Sequence, residues 1–184
     1  MSFTIDKTIP YLNGERLILK PISMEHCTDR YVSWMNDPEV YKYLETGGDY
    51  TKEMLADYIQ ALTSRYTFFW GIHTKEGDQH IGNIKIDPIN NQHGYGEYGI
   101  LMGDRNEWGK GYAKEASLSV INYCFENLGL RKIILGVVAQ NLSAVAMYKK
   151  IGFIVEGIYR QHGFYNGLYH DVLRMAIFNP SLKS

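Results

Sequence analysis

Between Arg16 and Ile22 apolar and polar residues alternate with the period of a strand. Ser23 then caps a predicted helix from about Met24 to Met35. The segment Asn36-Asp37-Pro38-Glu39 breaks it, and a short helix through Leu44 follows. Beyond a Gly47-Gly48 loop, Thr51 opens a helix with Met54, Leu55, Tyr58, Ile59 and Leu62 along one stripe. Strands are expected at Thr67 to His73 and His80 to Ile86, joined by a Gly77-Asp78 turn, and at Tyr95 to Met102 after a polar loop from Asp87 to His93. The next helix carries Ala113, Ala116, Val120, Ile121, Cys124, Phe125 and Leu128 inward and stops at Gly129. Lys132 to Ala139 is a continuous apolar run, the pattern of a strand covered on both faces. Asn141 caps a helix with Ala144, Val145 and Tyr148 on its inner side, which Gly152 ends. Phe153 to Tyr165 and Leu168 to Phe178 are two strands, joined through Asn166-Gly167 as a hairpin.

The resulting order, β-α-α-β-β-β-α-β-α-β-β, mixes hairpin neighbours with two helical crossovers. It predicts an α+β fold built on one mixed, mostly antiparallel sheet flanked by helices. The 184 residues suit a single domain spanning 1–184, with enough length to bury a core. Nineteen Lys and Arg against twenty Asp and Glu leave a net charge of -1, which disfavours a nucleic-acid binder with a basic face. The longest apolar runs are far short of the roughly 20 residues a bilayer requires, so no membrane partner is expected. The start of the chain does not read as a signal peptide. Cys27 and Cys124 are far apart and outside any Cys-x-x-Cys, and the six histidines show no ligand pair at helical i, i+4 spacing. Reduced thiols, a cytoplasmic location and no metal are the expectations.

The chemistry concentrates in Trp108-Gly109-Lys110-Gly111-Tyr112-Ala113, between a strand and an amphipathic helix. Glycine lets the backbone approach a ligand closely, and the first N–H groups of the helix carry partial positive charge. Together they form a phosphate or pyrophosphate site. A plain turn with glycines for the bend is the alternative. A nucleoside-triphosphate loop is excluded, because five residues instead of four separate Gly103 from Gly109-Lys110, and Gly111 replaces the required Ser or Thr. Gly94-x-Gly96-x-x-Gly99 formally matches a dinucleotide fingerprint but enters a strand, not a helix.

Trp108 to Ala113 resembles the pyrophosphate loop of the GNAT N-acetyltransferase superfamily, Gln/Arg-x-x-Gly-x-Gly/Ala, with Gly111 and Ala113 on its two small positions. Trp108 stands where the superfamily usually has Gln or Arg, a departure similar to the RimJ/RimL-like branch. Asn141-Leu142-Ser143 through Tyr148-Lys149-Lys150-Ile151-Gly152-Phe153 resembles the family's Asn-x-x-Ser/Ala…Tyr-x-Lys-x-Gly-Phe helix. Glu97-Tyr98-Gly99-Ile100 and Trp34-x-Asn36-Asp37-Pro38-Glu39-Val40 are branch-like too, and the resemblance runs from about Gly14 to Phe178.

The resemblance implies a cofactor, acetyl-CoA, held between two splayed strands, here Tyr95–Met102 and Lys132–Ala139. The cofactor-binding residues it implies are Leu101, Met102, Trp108, Gly109, Lys110, Gly111, Tyr112, Ala113, Asn141 and Ser143. A backbone N–H near Leu101 or Met102 would hold the thioester oxygen, Tyr148 would protonate the leaving sulfur, and Glu97 would take the amine's proton. Each residue also has a structural reading: Asn141 as a helix cap, Tyr148 as core, Glu97 as a solvent-facing strand residue with His162 or His170 as substitute bases. Residues 36–57 hold six acids against two lysines, and Trp34, Tyr41 and Tyr165 are candidate substrate contacts. The expected partner is a small amine of amino-sugar or polyamine type. A peptide N-terminus is the alternative, a non-catalytic acyl-CoA sensor is the alternative of another class, and self-association into a homodimer stays open.

Overall fold

A computed structural model of the chain describes residues 8–46, 48–65 and 67–182; the expected loop residue Gly47 and the outermost termini lie outside these. One sheet of eight strands organises the fold. In chain order the strands are β1 (Leu12–Asn13), β2 (Leu17–Pro21), β3 (Phe68–Thr74), β4 (His80–Asn90), β5 (Tyr95–Met102), β6 (Lys132–Val138), β7 (Ile154–Tyr165) and β8 (Leu168–Phe178). The helices are α1 (Asp29–Met35), α2 (Pro38–Tyr41), α3 (Lys52–Ser64), α4 (Tyr112–Glu126) and α5 (Leu142–Lys150). Across the sheet the order is β1-β2-β3-β4-β5-β6-β8-β7. Every pair is antiparallel except β5 with β6. The expected mixed, mostly antiparallel α+β sheet is the one observed.

The helices divide between the two faces. Ala116, Val120, Ile121 and Cys124 of α4 and Val145 and Tyr148 of α5 pack on one face, against Leu19, Trp70, Ile84, Tyr98, Ile133 and Leu135. Tyr31, Trp34 and Met35 of α1 and Leu55, Ile59 and Leu62 of α3 pack on the other, around Ile22 and Phe69. Of the stripes read from spacing, Leu55, Ile59 and Leu62 of α3 and Ala116, Val120, Ile121 and Cys124 of α4 are buried as expected, whereas Met54, expected on the α3 stripe, is 47% exposed.

Three local expectations need correction. The helix expected over Met24–Met35 is a 3-10 turn at Met24–His26 followed by α1, because Thr28 supplies a second cap whose hydroxyl accepts the Tyr31 N–H at 3.2 Å. The polar loop expected from Asp87 is strand as far as Asn90. Ile89 and Asn90 pair with Gly96 and Tyr95, and a register shift between Ile86 and Ile89 accommodates Pro88, which has no N–H to give the ladder. The strand read as covered on both faces is covered on one. Ile133, Leu135 and Val137 are buried under α4 and α5, whereas Lys132 and Ile134 are only partly buried and Gly136 is exposed on the opposite face.

Candidate active site

The loop between β5 and α4 is shaped by two glycines in the left-handed region, Gly109 at φ +76° and Gly111 at φ +81°. Nothing lies within 4 Å of a Cβ placed on Gly109, so backbone conformation, not space, calls for glycine there. Gly111 is the N-cap of α4 and supplies no side-chain acceptor, which leaves the first amides of a 15-residue helix open to an anion. The loop is held from behind. Trp108 Nε1 donates to Met102 O at 2.9 Å, and Arg16 Nη1 donates to Lys110 O at 2.9 Å. The Arg16 guanidinium lies 4.5 Å from the Tyr112 ring, and Glu115 Oε1 accepts the main-chain N–H groups of Arg16 (2.7 Å) and Leu17 (3.0 Å). Lys110 pairs with Glu107 at 2.9 Å. Arg16 and Glu115 have no motif of their own; their role is visible only once β2 lies beside the start of α4.

Beside this loop the sheet opens. β5 and β6 pair at three positions, Tyr95 with Lys132, Gly96 with Ile133 and Glu97 with Ile134. Beyond them β5 stays with β4 as far as Met102, opposite Gly82, and β6 stays with β8 as far as Val138, opposite Val172. The strand pair therefore splays as the resemblance implied. The carbonyl of Leu101 faces Gly82, where any Cβ would collide with it, and the Gly103 N–H donates to Ile81 O at 3.0 Å. Strand alternation then turns the main-chain groups of Ile100 and Met102 toward the opening. Of the two positions expected to meet the cofactor through backbone, Leu101 faces β4 and Met102 faces the gap.

On the helix-covered face, Tyr148 is 7% exposed, with its ring 5.8 Å from Tyr98 and 5.7 Å from Phe153. Burial raises its pKa, so it keeps its proton at neutral pH. Its hydroxyl has no hydrogen-bond partner among the described residues, whereas the neighbouring Tyr98 hydroxyl is 2.7 Å from Ser117 Oγ. Asn141 caps α5: its Oδ1 accepts from Ala144 N at 3.3 Å and from Ser143 Oγ at 3.1 Å, leaving its Nδ2 donors unused by the cap.

On the open face, Glu97 is the last β5 residue in register with β6 and pairs with Arg174 of β8, Nη1 to Oε1, at 2.9 Å. A cavity of about 310 Å³ adjoins this pair, lined among others by Tyr95, Lys132, Ile134, Tyr159 and Arg174. The β7–β8 hairpin reaches the chain after α2, where Asn166 Nδ2 donates to Lys42 O at 3.3 Å. Tyr165 of that hairpin is partly buried; burial first and the charge of Glu45 second raise its pKa, and its ring is 6.1 Å from that of His170. Tyr41 is partly buried with its ring against Gly48. His162 is exposed beside Tyr159, and His170 Nδ1 is buried with no hydrogen-bond partner among the described residues. Trp34, expected among the substrate contacts, is 5% exposed and fills the space where a Cβ on Gly103 would stand. Of the six acids in 36–57, Asp37 pairs with Arg105 and Glu39 with Lys42, so fewer remain free than the count implied. Among the described residues no cluster of three or more His, Cys, Asp or Glu could hold a metal ion, and no helix is long and apolar enough to cross a membrane.

A sheet parted beside a glycine loop at a helix start defines a protein built to take an extended, phosphate-bearing ligand edge-on between two strands. Residues 16–154 match the acetyltransferase (GNAT) domain model, and the chain belongs to that family of acetyl-CoA-dependent acyltransferases. It is 31% identical over 171 residues to the uncharacterized N-acetyltransferase p20 of Bacillus licheniformis, covering 90% of this chain and 94% of that one. It is 37% identical over 97 residues to the spermidine N(1)-acetyltransferase of Vibrio cholerae, covering 53% of this chain and 56% of that one. Among solved structures, the spermidine N-acetyltransferase from Vibrio cholerae in complex with CoA and spermine superposes with a TM-score of 0.81 at 25% identity, over 89% of this chain and 96% of that one. A GNAT-family acetyltransferase from Bacillus anthracis superposes at 0.82 with 20% identity, over 92% and 99%.

Proposed function

We propose that the chain, acting as one transferase domain, moves acetyl from acetyl-CoA directly to a primary amine of a small molecule of polyamine or amino-sugar type. The observation that carries this reading is Glu97, the last paired β5 residue where the strands part, on the face of the sheet away from α4 and α5. In this reading the α4 amides with Gly109 and Gly111 hold the pyrophosphate, and the Met102 main chain and the Asn141 amide group hold the acyl-bearing arm. Tyr148 donates a proton to the departing sulfur. Glu97 takes the proton that the attacking amine must lose, directly or through water. The acceptor's class is supported by Glu45 beside Tyr165 at the hairpin, an acidic and aromatic pairing suited to an alkylammonium, and by the similarity to spermidine acetyltransferases. The RimJ/RimL-like features, Trp108-Gly109 above all, favour a peptide N-terminus as the second reading.

The test is a panel of polyamines, amino-sugar nucleotides and Ala- or Ser-starting peptides, read by release of free thiol. Turnover of a polyamine or amino sugar is the expected result. Turnover of the peptides alone would move the acceptor to protein. Binding of acetyl-CoA with no turnover of any amine would make the chain a sensor. With an accepted amine, a kcat/KM profile from about pH 6 to 10 should show Glu97→Gln losing most activity near neutral pH and recovering as pH rises and free amine forms unaided. A deficit equal at every pH would remove Glu97 from the proton's path.

A further inference from the structure

We infer that Arg174 is a positioning residue that clasps the two halves of the parted sheet and aims the carboxylate of Glu97; its second role rests on Glu97 being the proton acceptor. Past Glu97 and Ile134, β5 belongs with β4, and β6 belongs with β8. Arg174 stands on β8 opposite Gly136, two residues beyond the last β5–β6 pair. Its guanidinium crosses β6 to reach β5, Nη1 donating to Glu97 Oε1 at 2.9 Å. The crossing depends on Gly136, where a Cβ would stand 2.8 Å from Arg174 Nη1. On the other side the Tyr159 ring lies 5.8 Å from the guanidinium carbon. The ion pair thus links the half-sheet carrying Glu97 to the half-sheet carrying β6, at the point where the strands separate.

Two consequences follow from this geometry. The clasp limits how far the gap opens at its closed end. It also occupies Oε1 with a charge-assisted hydrogen bond, so that Oε2 is the oxygen presented to an incoming ammonium. A group misplaced by about 1 Å can lose on the order of 10²-fold in rate.

Arg174→Met removes the clasp, Arg174→Lys keeps the charge without the planar donor, and Gly136→Ala keeps both charged groups but displaces the guanidinium. With an accepted amine, Arg174→Met and Gly136→Ala should each lower kcat about 10- to 100-fold, Arg174→Lys less. The deficits should shrink toward high pH, as expected for Glu97→Gln, and Arg174→Met placed on Glu97→Gln should add little. A deficit constant across pH, or one that adds fully to Glu97→Gln, would make Arg174 merely structural. Independently of turnover, amide hydrogen exchange should quicken in residues 95–97 and 132–134 of Arg174→Met and Gly136→Ala. If the parent binds acetyl-CoA yet turns over no amine, Glu97 loses its role, and the exchange rates alone decide the clasp: faster supports it, unchanged overturns it.

Discussion

His80 offers a pH test of the packing between α1 and the sheet. Its ring stacks on His73 at 4.9 Å and meets Trp34 edge-on at 4.9 Å, with its Nε2 3.0 Å from Asn83 Oδ1. Burial first, then the neighbouring His26 and His73, lower its pKa from 6.5 to about 3. The neighbours are themselves wired as neutral rings. Ser23 N–H donates to His26 Nδ1 at 3.2 Å, His26 Nε2 lies 3.1 Å from His73 Nε2, and His73 Nδ1 faces the Asp78 carbonyl at 3.2 Å. A carbonyl accepts, so His73 carries its proton on Nδ1 and takes the His26 proton on Nε2. A second proton on either ring breaks one of these bonds, and burial lowers both pKa values. For all three, the unfolded chain binds the proton at higher pH than the folded one. Stability is therefore whole above the ordinary histidine value and is lost as pH falls below it. For His80 alone the loss from pH 7 to pH 5 is about 2 kcal/mol, or about 4–8 °C in melting temperature for a chain of this length. His80→Phe should cost about 1–3 kcal/mol at pH 7 by stranding the Asn83 carbonyl. It should also remove that slope, so the curves of parent and variant draw together toward pH 5. Denaturant unfolding at several pH values measures both. Curves that stay parallel would refute the assignment of His80 as a buried neutral ring.

Gly111→Asp puts a Cβ at φ +81° and a negative charge at the start of α4. Acetyl-CoA at millimolar concentration should raise the parent's melting temperature and leave the variant's unchanged, and no rise in the parent would refute the loop's role. Tyr148→Phe keeps the ring packing on Tyr98 and Phe153 and removes the hydroxyl alone. In steady-state assays kcat should fall on the order of 10²-fold with acetyl-CoA affinity nearly intact; an unchanged kcat would return Tyr148 to the core.

Most of the sheet was readable because each element signals itself locally. Helix stripes, the caps Thr51 and Asn141 and the Asn166-Gly167 hairpin all lie within a few residues of what they decide. The glycine loop was readable for the same reason, since Gly109 and Gly111 mark both the bend and the bare helix start. What stayed hidden depends on partners far along the chain. Glu97 and Arg174 are 77 residues apart, and Arg16 and Glu115 are 99 apart. Neither pair has a spacing that any local pattern reports. The apolar run of β6 concealed its one open face, because Ile134 and Gly136 are as apolar as the buried Ile133 and Leu135; coverage is decided by which helices reach that side.

Trp34 shows how the same difficulty bears on function. Among Tyr31, Trp34, Tyr41 and Tyr43, composition gives no means of separating a pocket wall from a support. What separates them is Gly103, 69 positions away in the sequence, whose missing side chain admits the indole beneath the end of β5. The neighbouring Asp104 is held from the same side, by Arg30 of α1 and by Gln79 at 2.7 Å, and it caps the 3-10 turn Arg105–Glu107 through Asn106 N–H at 3.1 Å. The helix expected to line the acceptor site thus also supports the segment that leads from Met102 to Gly109. Substitutions on α1 aimed at the acceptor would therefore reach the cofactor loop as well, and an altered amine preference at Trp34 would have to be separated from altered acetyl-CoA binding before it meant anything about the acceptor.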